Sequence, residues 1–539
     1  QVTTMQSSGP RVSYDYQAPV REFGTLGTVM QEVKKYNYFM NDFGTELAPA
    51  IAYLPTSNQD RNNLQWAVRS DGGKGYLFCS NYLYKHDRRD YEKVQFSIKL
   101  KNETIRMPQE KITVQGGTYF LWPFNQQMDK VLLKYATVQP ICSMEEENGS
   151  TFFFFEDDGI PAEYLFTDED IQDVRTQNGS VQKGKNGWFV NQLKAGKDCI
   201  IEVERKDGAI VRFITLTEEE SDLIWKGEMK GKEFIALTNA TLVSDHGNIV
   251  LIDNNPETAI EVYNNGQFRR QVYQKESRNI QAKFKALSPL ENSQWISATE
   301  GNEVARTFIL HTLSTIEKAC LRFASTSSNT TCFINGKEVA TQKSGDYYKA
   351  DVTSFLTTEK NSVSFILADN EIVASEIEIL LKNGERLVWN TDGTWVSSEK
   401  SLPVHIIKDK NKPLKYADEE HIGIYEVYVP RPAGGEEETR MYISYQGDVA
   451  NLYQNGQLVA DSYYDGTDWI VSVDRLKDAA DVNPLIIRID GLKSIDEPIY
   501  FEKNVDLKKC VVPSLNNIQV KQEYRFVITP SDLNLAKVK

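Results

Sequence analysis

Apolar and polar residues alternate with period two along most of the chain, which is the pattern of half-buried β-strands. The segment Val94-Gln95-Phe96-Ser97-Ile98-Lys99-Leu100 is the clearest case, and Gly75 to Tyr82 is another strand-like segment. Phe152 to Phe155 are four consecutive phenylalanines, which predicts a strand that is buried on both faces. Turn dipeptides such as Asn178-Gly179 and Asn265-Gly266 separate the segments. The pattern therefore predicts a mainly β protein.

Two stretches are predicted to be helices instead. From Thr28 to Asp42, apolar residues recur three or four positions apart and so share one helical face: Val29, Val33, Tyr36 and Met40. The second stretch, Glu218 to Lys226, is predicted to be a short helix. Thr217 stands at its N-cap, and Glu220 completes a capping box.

The last part of the chain contains an internal repeat. Cys332 to Ala340 and Leu452 to Ala460 have similar sequences, and their Asn-Gly turns, Asn335-Gly336 and Asn455-Gly456, are 120 residues apart. Asn and Gly tolerate the positive φ angles that a two-residue hairpin requires. A repeat this long predicts two copies of one β-sandwich, with the boundary between them near Ser401 to Lys415.

The chain opens differently, with one predicted strand and one predicted helix. Val12 to Tyr16 alternates like a strand, Pro19 ends it because proline has no N–H, and Gly24 permits a turn before the helix. A lone βα unit cannot bury a parallel strand on both faces. This opening is therefore expected to belong to a larger α/β element.

The opening motif resembles the last barrel strand of the family 35 glycoside hydrolases, which are retaining β-galactosidases. The motif is Ser13-Tyr14-Asp15-Tyr16-Gln17-Ala18-Pro19 with Glu22 and Gly24 after it, and Gln17 stands where Asp is usual. Gly75 to Glu163 resembles the first β domain of that family, and Gln446 to Trp469 its terminal jelly roll. The resemblance implies one residual βα unit of a (β/α)8 barrel at 1–45 and an all-β domain at 46–275. Two galactose-binding-like jelly rolls are expected at 276–410 and 411–539.

The resemblance also implies a function. The family uses two glutamates on earlier barrel strands, which are expected before Gln1, so no catalytic residue is assigned to this chain. Tyr14 and Tyr16 are expected to bind substrate at the mouth of the barrel. The alternative is that one of these tyrosines only packs.

The chain is thus expected to be the C-terminal part of a retaining exo-β-galactosidase that needs no cofactor or metal. Its partners would be a galactose-containing oligosaccharide or polysaccharide and the N-terminal barrel segment of the same enzyme. This substrate class suggests a periplasmic or extracellular location. The alternatives are a non-catalytic carbohydrate-binding or assembly module and an exo-glycosidase with a different sugar specificity.

The composition of the chain argues against several classes of partner. The net charge of −15 argues against a nucleic-acid partner, because phosphate backbones are bound by Lys and Arg. No run of about 18 apolar residues is present, so no membrane span is predicted. None of the six cysteines forms a C-x-x-C pair, which argues against structural zinc, although Cys320 and Cys332 could pair as a disulfide.

Two further constellations each allow two interpretations. The acidic segment Glu156-Asp157-Asp158, with Glu163, could be a carboxylate pair or a calcium site, but it lacks EF-hand spacing and is expected to be a solvated loop. Trp469, with Tyr463 and Tyr464, could stack on a sugar ring. The favoured alternative is that Trp469 fills the core of its sandwich.

Overall fold

The computed structural model describes residues 11–13, 18–60, 62–82, 89–157, 159–245, 248–277, 280–311, 313, 315–397, 400–408, 410, 414–416, 420–430, 438–476, 484–496 and 505–533. The chain divides into two compact units. The N-terminal unit contains residues 18–20, 26–277 and 524–539, and the C-terminal unit contains 1–17, 21–25 and 278–523. Strands dominate both units, which confirms the mainly β fold class.

Within the described residues, the N-terminal unit has two α-helices and a long series of strands. The helices are α1 (Val29–Leu47) and α2 (Glu218–Asp222). The strands are β1 (Ile51–Tyr53), β2 (Gln65–Ser70), β3 (Gly75–Ser80), β4 (Tyr91–Lys99), β5 (Thr104–Val114), β6 (Tyr119–Met128), β7 (Val131–Ala136), β8 (Gln139–Glu146), β9 (Gly149–Phe155), β10 (Tyr164–Phe166), β11 (Ile171–Thr176), β12 (Ser180–Gly184), β13 (Gly187–Asn191), β14 (Ile200–Arg205), β15 (Ile210–Leu216), β16 (Ile224–Met229), β17 (Lys232–Leu237), β18 (Thr241–Asp245), β19 (Asn248–Asp253), β20 (Glu257–Asn264) and β21 (Gln267–Gln274).

In the part of the C-terminal unit that the structure describes, the next strands are joined by one short helix, α3 (Lys508–Val511). The strands are β22 (Lys283–Ala286), β23 (Trp295–Ser297), β24 (Glu303–Leu310), β25 (Ile316–Ser325), β26 (Thr331–Ile334), β27 (Lys337–Glu338), β28 (Gln342–Ser344), β29 (Tyr347–Asp351), β30 (Glu359–Ile366), β31 (Val373–Leu381), β32 (Arg386–Asn390), β33 (Val396–Ser397), β34 (Leu402–Pro403), β35 (His405–Ile407), β36 (Ile422–Tyr428), β37 (Thr439–Gln446), β38 (Val449–Gln454), β39 (Gln457–Tyr463), β40 (Trp469–Ser472), β41 (Leu485–Asp490) and β42 (Ser514–Gln522). A final strand, β43 (Tyr524–Ile528), belongs to the N-terminal unit.

The four-phenylalanine strand β9 is the centre of the N-terminal unit. It lies in a five-stranded sheet of order β11-β14-β15-β9-β8, which faces an eight-stranded sheet of order β1-β2-β3-β6-β7-β10-β13-β12. Phe152 and Phe154 enter the core between these two sheets. Phe153 and Phe155 enter a second core, against the sheet β16-β17-β20-β21. All four rings are buried, which confirms a strand covered on both faces.

Helix α1 confirms the predicted helix, but the residues that it buries are not the predicted apolar stripe. Its buried side chains are Lys34, Lys35, Phe39 and Leu47. On the stripe, by contrast, Val29 is 39% exposed, Tyr36 57% and Met40 44%. The N-terminal unit therefore covers a face that includes two paired lysines and leaves most of the predicted apolar stripe exposed.

The two sandwiches of the C-terminal unit share one strand order. In the first sandwich, one sheet runs β27-β26-β30-β24 and the other contains β29-β25-β31. In the second, the matching orders are β39-β38-β41-β36 and β40-β37-β42. Both Asn-Gly turns have positive φ at each residue (53° and 73° at Asn335 and Gly336, 50° and 79° at Asn455 and Gly456). The predicted repeat is therefore two copies of one sandwich topology.

Several details differ from the sequence interpretation. Strand β22, expected in the first jelly roll, pairs with β36 of the second sandwich. Strand β43, expected in the second jelly roll, pairs with β19 of the N-terminal unit. Helix α2 has the predicted capping box of Thr217 and Glu220, but it ends at Asp222 because β16 starts at Ile224. No helix within the described residues is both long and apolar enough to span a membrane.

The start of the predicted barrel strand is described only in part. The backbone N–H groups of Val12 and Ser13 donate to the carboxylate of Asp461, at 3.0 and 2.6 Å, and neither residue is in a strand. Residues 14–17 lie outside the described residues. The barrel strand therefore stays a prediction.

Candidate functional site

The N-terminal unit contains a cavity of about 370 Å³ where β2, β3 and β6 meet helix α1. Eleven of the seventeen residues that line it are apolar or aromatic, and we call it the aromatic pocket. Its lining consists of Glu32, Lys35, Tyr36, Phe39, Asn58, Gln65, Trp66, Ala67, Phe78, Cys79, Ser80, Tyr119, Phe120, Leu121, Gln139, Pro140 and Phe155. A mostly apolar cavity with a few fixed polar groups is the usual composition of a small-molecule site.

Strand register brings these residues together. Strand β2 starts at Gln65, β3 ends at Ser80 and β6 starts at Tyr119, and these three residues lie side by side in the sheet. One residue further along, Trp66, Cys79 and Phe120 form the next row. Residues of one cross-strand row point to the same face of a sheet and successive rows point to opposite faces, so the pocket takes side chains from both faces at this end of the sheet.

Two tyrosines lie at the mouth of the pocket. Tyr36 comes from α1, and Tyr119, which is 48% exposed, comes from β6. Burial and the neighbouring Glu32 carboxylate, which accepts a hydrogen bond from the phenol, raise the pKa of Tyr119 above its ordinary value. The Tyr119 phenol therefore stays neutral at physiological pH and donates its one O–H to Glu32.

The polar groups of the floor are held by partners of their own. The Lys35 ammonium lies 2.8 Å from Asp222 Oδ1 and 3.0 Å from Glu32 Oε1, and 4.6 Å from the ring centre of Phe155. Asn58 Nδ2 donates to the backbone oxygen of Trp66 at 2.6 Å. Because these side chains are oriented before any ligand arrives, they can position a polar ligand at little entropic cost.

A buried carboxyl group lies behind the pocket. Asp157 accepts hydrogen bonds from Gln139 Nε2 at 2.5 Å and from Trp122 Nε1 at 3.2 Å. Burial raises the pKa of Asp157 to about 8, although both hydrogen bonds act in the opposite direction. Gln139 also accepts from the backbone N–H of Leu121, so this one amide connects the carboxyl group to the wall of the pocket.

The acidic segment is therefore not the expected solvated loop. Asp157 and Glu163 are both buried, and Glu163 accepts from Gln109 N at 2.5 Å and from the Tyr135 hydroxyl at 3.0 Å. Asp158 lies outside the described residues. Among the residues that the structure describes, no group of His, Cys, Asp or Glu is arranged to hold a metal ion.

The other sequence-predicted residues have three different outcomes. Tyr14 and Tyr16 lie outside the described residues, so their role stays a prediction. Trp469 is buried in the core of the second sandwich, 6.4 Å from the ring centre of Tyr445, which confirms the core interpretation. Cys320 and Cys332 are not bonded to each other and lie in opposite sheets, on β25 and β26.

Comparisons with known proteins give only distant similarities. No family model and no curated protein matches the chain. Among solved structures, a lectin from Pleurotus ostreatus in complex with GalNAc is 12% identical, covers 47% of this chain and 87% of its own, and has a TM-score of 0.20. An α-L-rhamnosidase from Streptomyces avermitilis complexed with L-rhamnose is 12% identical. The match covers 69% of this chain and 38% of that enzyme, with a TM-score of 0.22. The α-L-rhamnosidase from Aspergillus terreus is 9% identical, and the match covers 66% of this chain and 47% of that enzyme with a TM-score of 0.21.

This chain thus spans less than half of the length of either rhamnosidase. At such TM-scores the similarities carry no argument about fold or function.

Proposed function

We propose that this chain is the C-terminal portion of a retaining exo-β-galactosidase of the family 35 type. The observation that carries the proposal is the order of segments that resemble that family, from Ser13 to Gly24 at the start to Tyr464 to Trp469 near the end. The two sandwiches of identical strand order are consistent with the paired jelly rolls that the resemblance implies.

In this proposal the reaction is carried out by two glutamates of the barrel, outside this chain. One glutamate is the nucleophile and the other the acid/base, at the separation of about 5–5.5 Å that a retaining mechanism requires. Tyr14 and Tyr16 contact the sugar at the mouth of the barrel. The substrate is a terminal β-galactoside outside the cytoplasm, and no cofactor takes part.

The open face of α1 supports a polypeptide partner. Val29, Tyr36 and Met40 form an apolar stripe on a helix whose opposite face is already packed. A helix with an apolar stripe normally packs that stripe against another element. We assign the stripe to the remaining barrel segment.

The mass of the native protein and its activity test this proposal together. We expect the chain purified from its source to carry a further segment of about 250 residues, the size of a barrel, and to hydrolyse a nitrophenyl β-galactoside. Tyr14→Phe and Tyr16→Phe should each reduce kcat/KM, whereas Tyr428→Phe, at an exposed position of β36, should not. A protein of 61.4 kDa that lacks both a companion and activity would contradict the proposal.

A second candidate function is favoured by the aromatic pocket. A sugar ring can stack on Trp66 or Tyr119, and Glu32 and Asn58 are within the same cavity to meet its hydroxyl groups. The chain would then be a non-catalytic carbohydrate-binding module.

Galactose titration of matched variants distinguishes this second candidate. If the pocket binds sugar, Tyr119→Ala should weaken galactose binding at least tenfold in isothermal titration. The control Tyr53→Ala removes a tyrosine of similar exposure, 52%, from outside the pocket and should leave the binding unchanged. Equal effects of the two variants, or no binding at millimolar galactose, would exclude the binding-module interpretation.

A further inference from the structure

A cavity lies in the C-terminal unit, between its two sandwiches. It has a volume of about 630 Å³, within the ~300–1,000 Å³ range of small-ligand sites. Residues of β25 and β29 form one wall, and residues of β38 and β41 form the other. We call it the charged cleft, because ten of its lining residues are ionic: Arg11, Glu317, Lys318, Arg322, Lys349, Asp351, Glu420, Arg488, Asp490 and Lys493.

The floor of the charged cleft consists of side chains that are at least nine-tenths buried: Arg322, Arg488 and Asn451. Arg322 Nε and Nη2 donate to Glu420 Oε2 at 3.1 and 2.9 Å. Arg488 Nε donates to Asp490 Oδ1 at 3.0 Å, and Asn451 Nδ2 donates to Asp490 Oδ2 at 3.3 Å. The floor therefore presents alternating donors and acceptors in a fixed geometry.

A second layer of carboxylates holds the arginines in place. Arg322 Nη1 lies 3.1 Å from Glu376 and 2.9 Å from Glu378. Arg488 Nη1, from the other sandwich, lies 2.8 Å from the same Glu378. The surrounding guanidinium groups outweigh burial and hold the pKa of Glu378 well below its ordinary range. This layer neutralises the buried charges and leaves the groups that face the cavity pre-organised.

The rim differs from the floor because it carries cations beyond those in the network. Lys318 and Lys493 are exposed and line the cleft, and neither forms an ion pair with the residues that the structure describes. Counted over the lining, six cationic side chains face four carboxylates. Glu376 and Glu378 behind the floor balance the buried arginines, so the attraction for an anion comes from the exposed Lys318 and Lys493 at the rim.

We propose that the charged cleft binds an acidic saccharide, a short oligosaccharide that contains uronate residues. The rim lysines would meet the uronate carboxylates. The hydroxyl groups would be met by Asn451, Asp490 and Glu420, whose donors and acceptors suit neighbouring hydroxyls. A uniform polyanion fits less well, because the four carboxylates of the lining would repel it. This proposal does not depend on the β-galactosidase proposal, because it concerns other residues and another ligand.

Isothermal titration of the whole chain with digalacturonate, and with neutral galactobiose as the matched ligand, tests the proposal. We expect digalacturonate to bind at least tenfold more tightly than galactobiose. The double variant Lys318→Ala, Lys493→Ala should weaken digalacturonate binding at least tenfold. These lysines are exposed and outside the buried network, so their removal should leave the fold intact.

The control double variant Lys360→Ala, Lys408→Ala removes two exposed lysines of the same unit from outside the cleft. It should bind digalacturonate as the unmodified chain does. Equal loss in both double variants would indicate non-specific attraction and overturn the proposal. Absence of digalacturonate binding at millimolar concentration, or equally tight binding of galactobiose, would also overturn it.

Discussion

The aromatic pocket, of about 370 Å³, and the charged cleft, of about 630 Å³, have contrasting linings. Rings and aliphatic side chains form most of the pocket, and its few polar groups are held by immediate neighbours. In the cleft, buried arginines and glutamates from two sandwiches depend on one another. Removing a buried arginine of the cleft therefore leaves its carboxylate partners buried and unpaired, whereas the exposed lysines of the rim can be removed without that cost.

The largest expected effect comes from breaking the network below the cleft. Arg322→Met would leave Glu376, Glu378 and Glu420 without their shared cation. We expect it to lower the free energy of unfolding of the C-terminal unit by about 3–5 kcal/mol, measured by urea denaturation. The control Lys400→Met breaks an exposed pair with Glu300 and should cost about 0–1 kcal/mol. If both variants lower the free energy of unfolding by similar amounts, the expected difference between the buried network and an exposed ion pair is wrong.

The next effect concerns the buried carboxyl group behind the pocket. The pKa of Asp157 is about 8 in the folded chain, above the ordinary value of 3.8. A folded pKa above the unfolded one means that folding binds a proton between these two values. The contribution of Asp157 to stability is therefore greatest below pH 4 and decreases, by about 1.4 kcal/mol for each pH unit, as pH rises towards 8.

Asp157→Asn removes this titration and should flatten that part of the pH dependence. The measurement is the thermal unfolding of both proteins at pH values from 5 to 8. As pH rises, the unfolding temperature of the unmodified protein should fall relative to that of Asp157→Asn. A constant difference across this range would show that Asp157 titrates below it.

The smallest expected effect is that of salt on ligand binding. Raising ionic strength from 0.05 to 0.5 M should weaken digalacturonate binding to the cleft about tenfold, because salt screens partly exposed charges. Binding of galactose to the aromatic pocket, if present, should change less than about twofold, since apolar contacts are not screened. Titrations at both ionic strengths measure this, and the same salt dependence for the two ligands would remove the distinction.

Local sequence signals predicted local structure well. The Asn-Gly turns and the capping box of Thr217 and Glu220 depend on residues a few positions apart, and all are present. The four-phenylalanine strand could be predicted because both of its faces are apolar.

The buried face of α1 could not be predicted in this way. Lys34 and Lys35 are buried because Asp222, almost 190 residues away in the sequence, supplies acceptors for both ammonium groups. The apolar stripe of Val29, Tyr36 and Met40 satisfied the helical pattern but is open in this unit. Periodicity therefore identified the helix and not the face that this unit covers.

Neither cavity had a signal in the sequence. The aromatic pocket takes its lining from α1 and five strands, and the charged cleft takes its lining from positions between Arg11 and Lys493. The sequence shows the residue types but not their surroundings. Asp157 is indistinguishable from a loop aspartate in the sequence, and only the fold places Trp122 and Gln139 around it.

The pairing of β43 with β19 has a consequence for synthesis on the ribosome. Ile528 bonds in register with Ile249, about 280 residues earlier, so the sheet β18-β19-β43 lacks an edge strand while the whole C-terminal unit is being made. At about 5–20 residues per second, this delay lasts roughly 14 to 56 seconds. During that time the edge of β19 is a site where a chaperone, or a neighbouring nascent chain, could pair in place of β43.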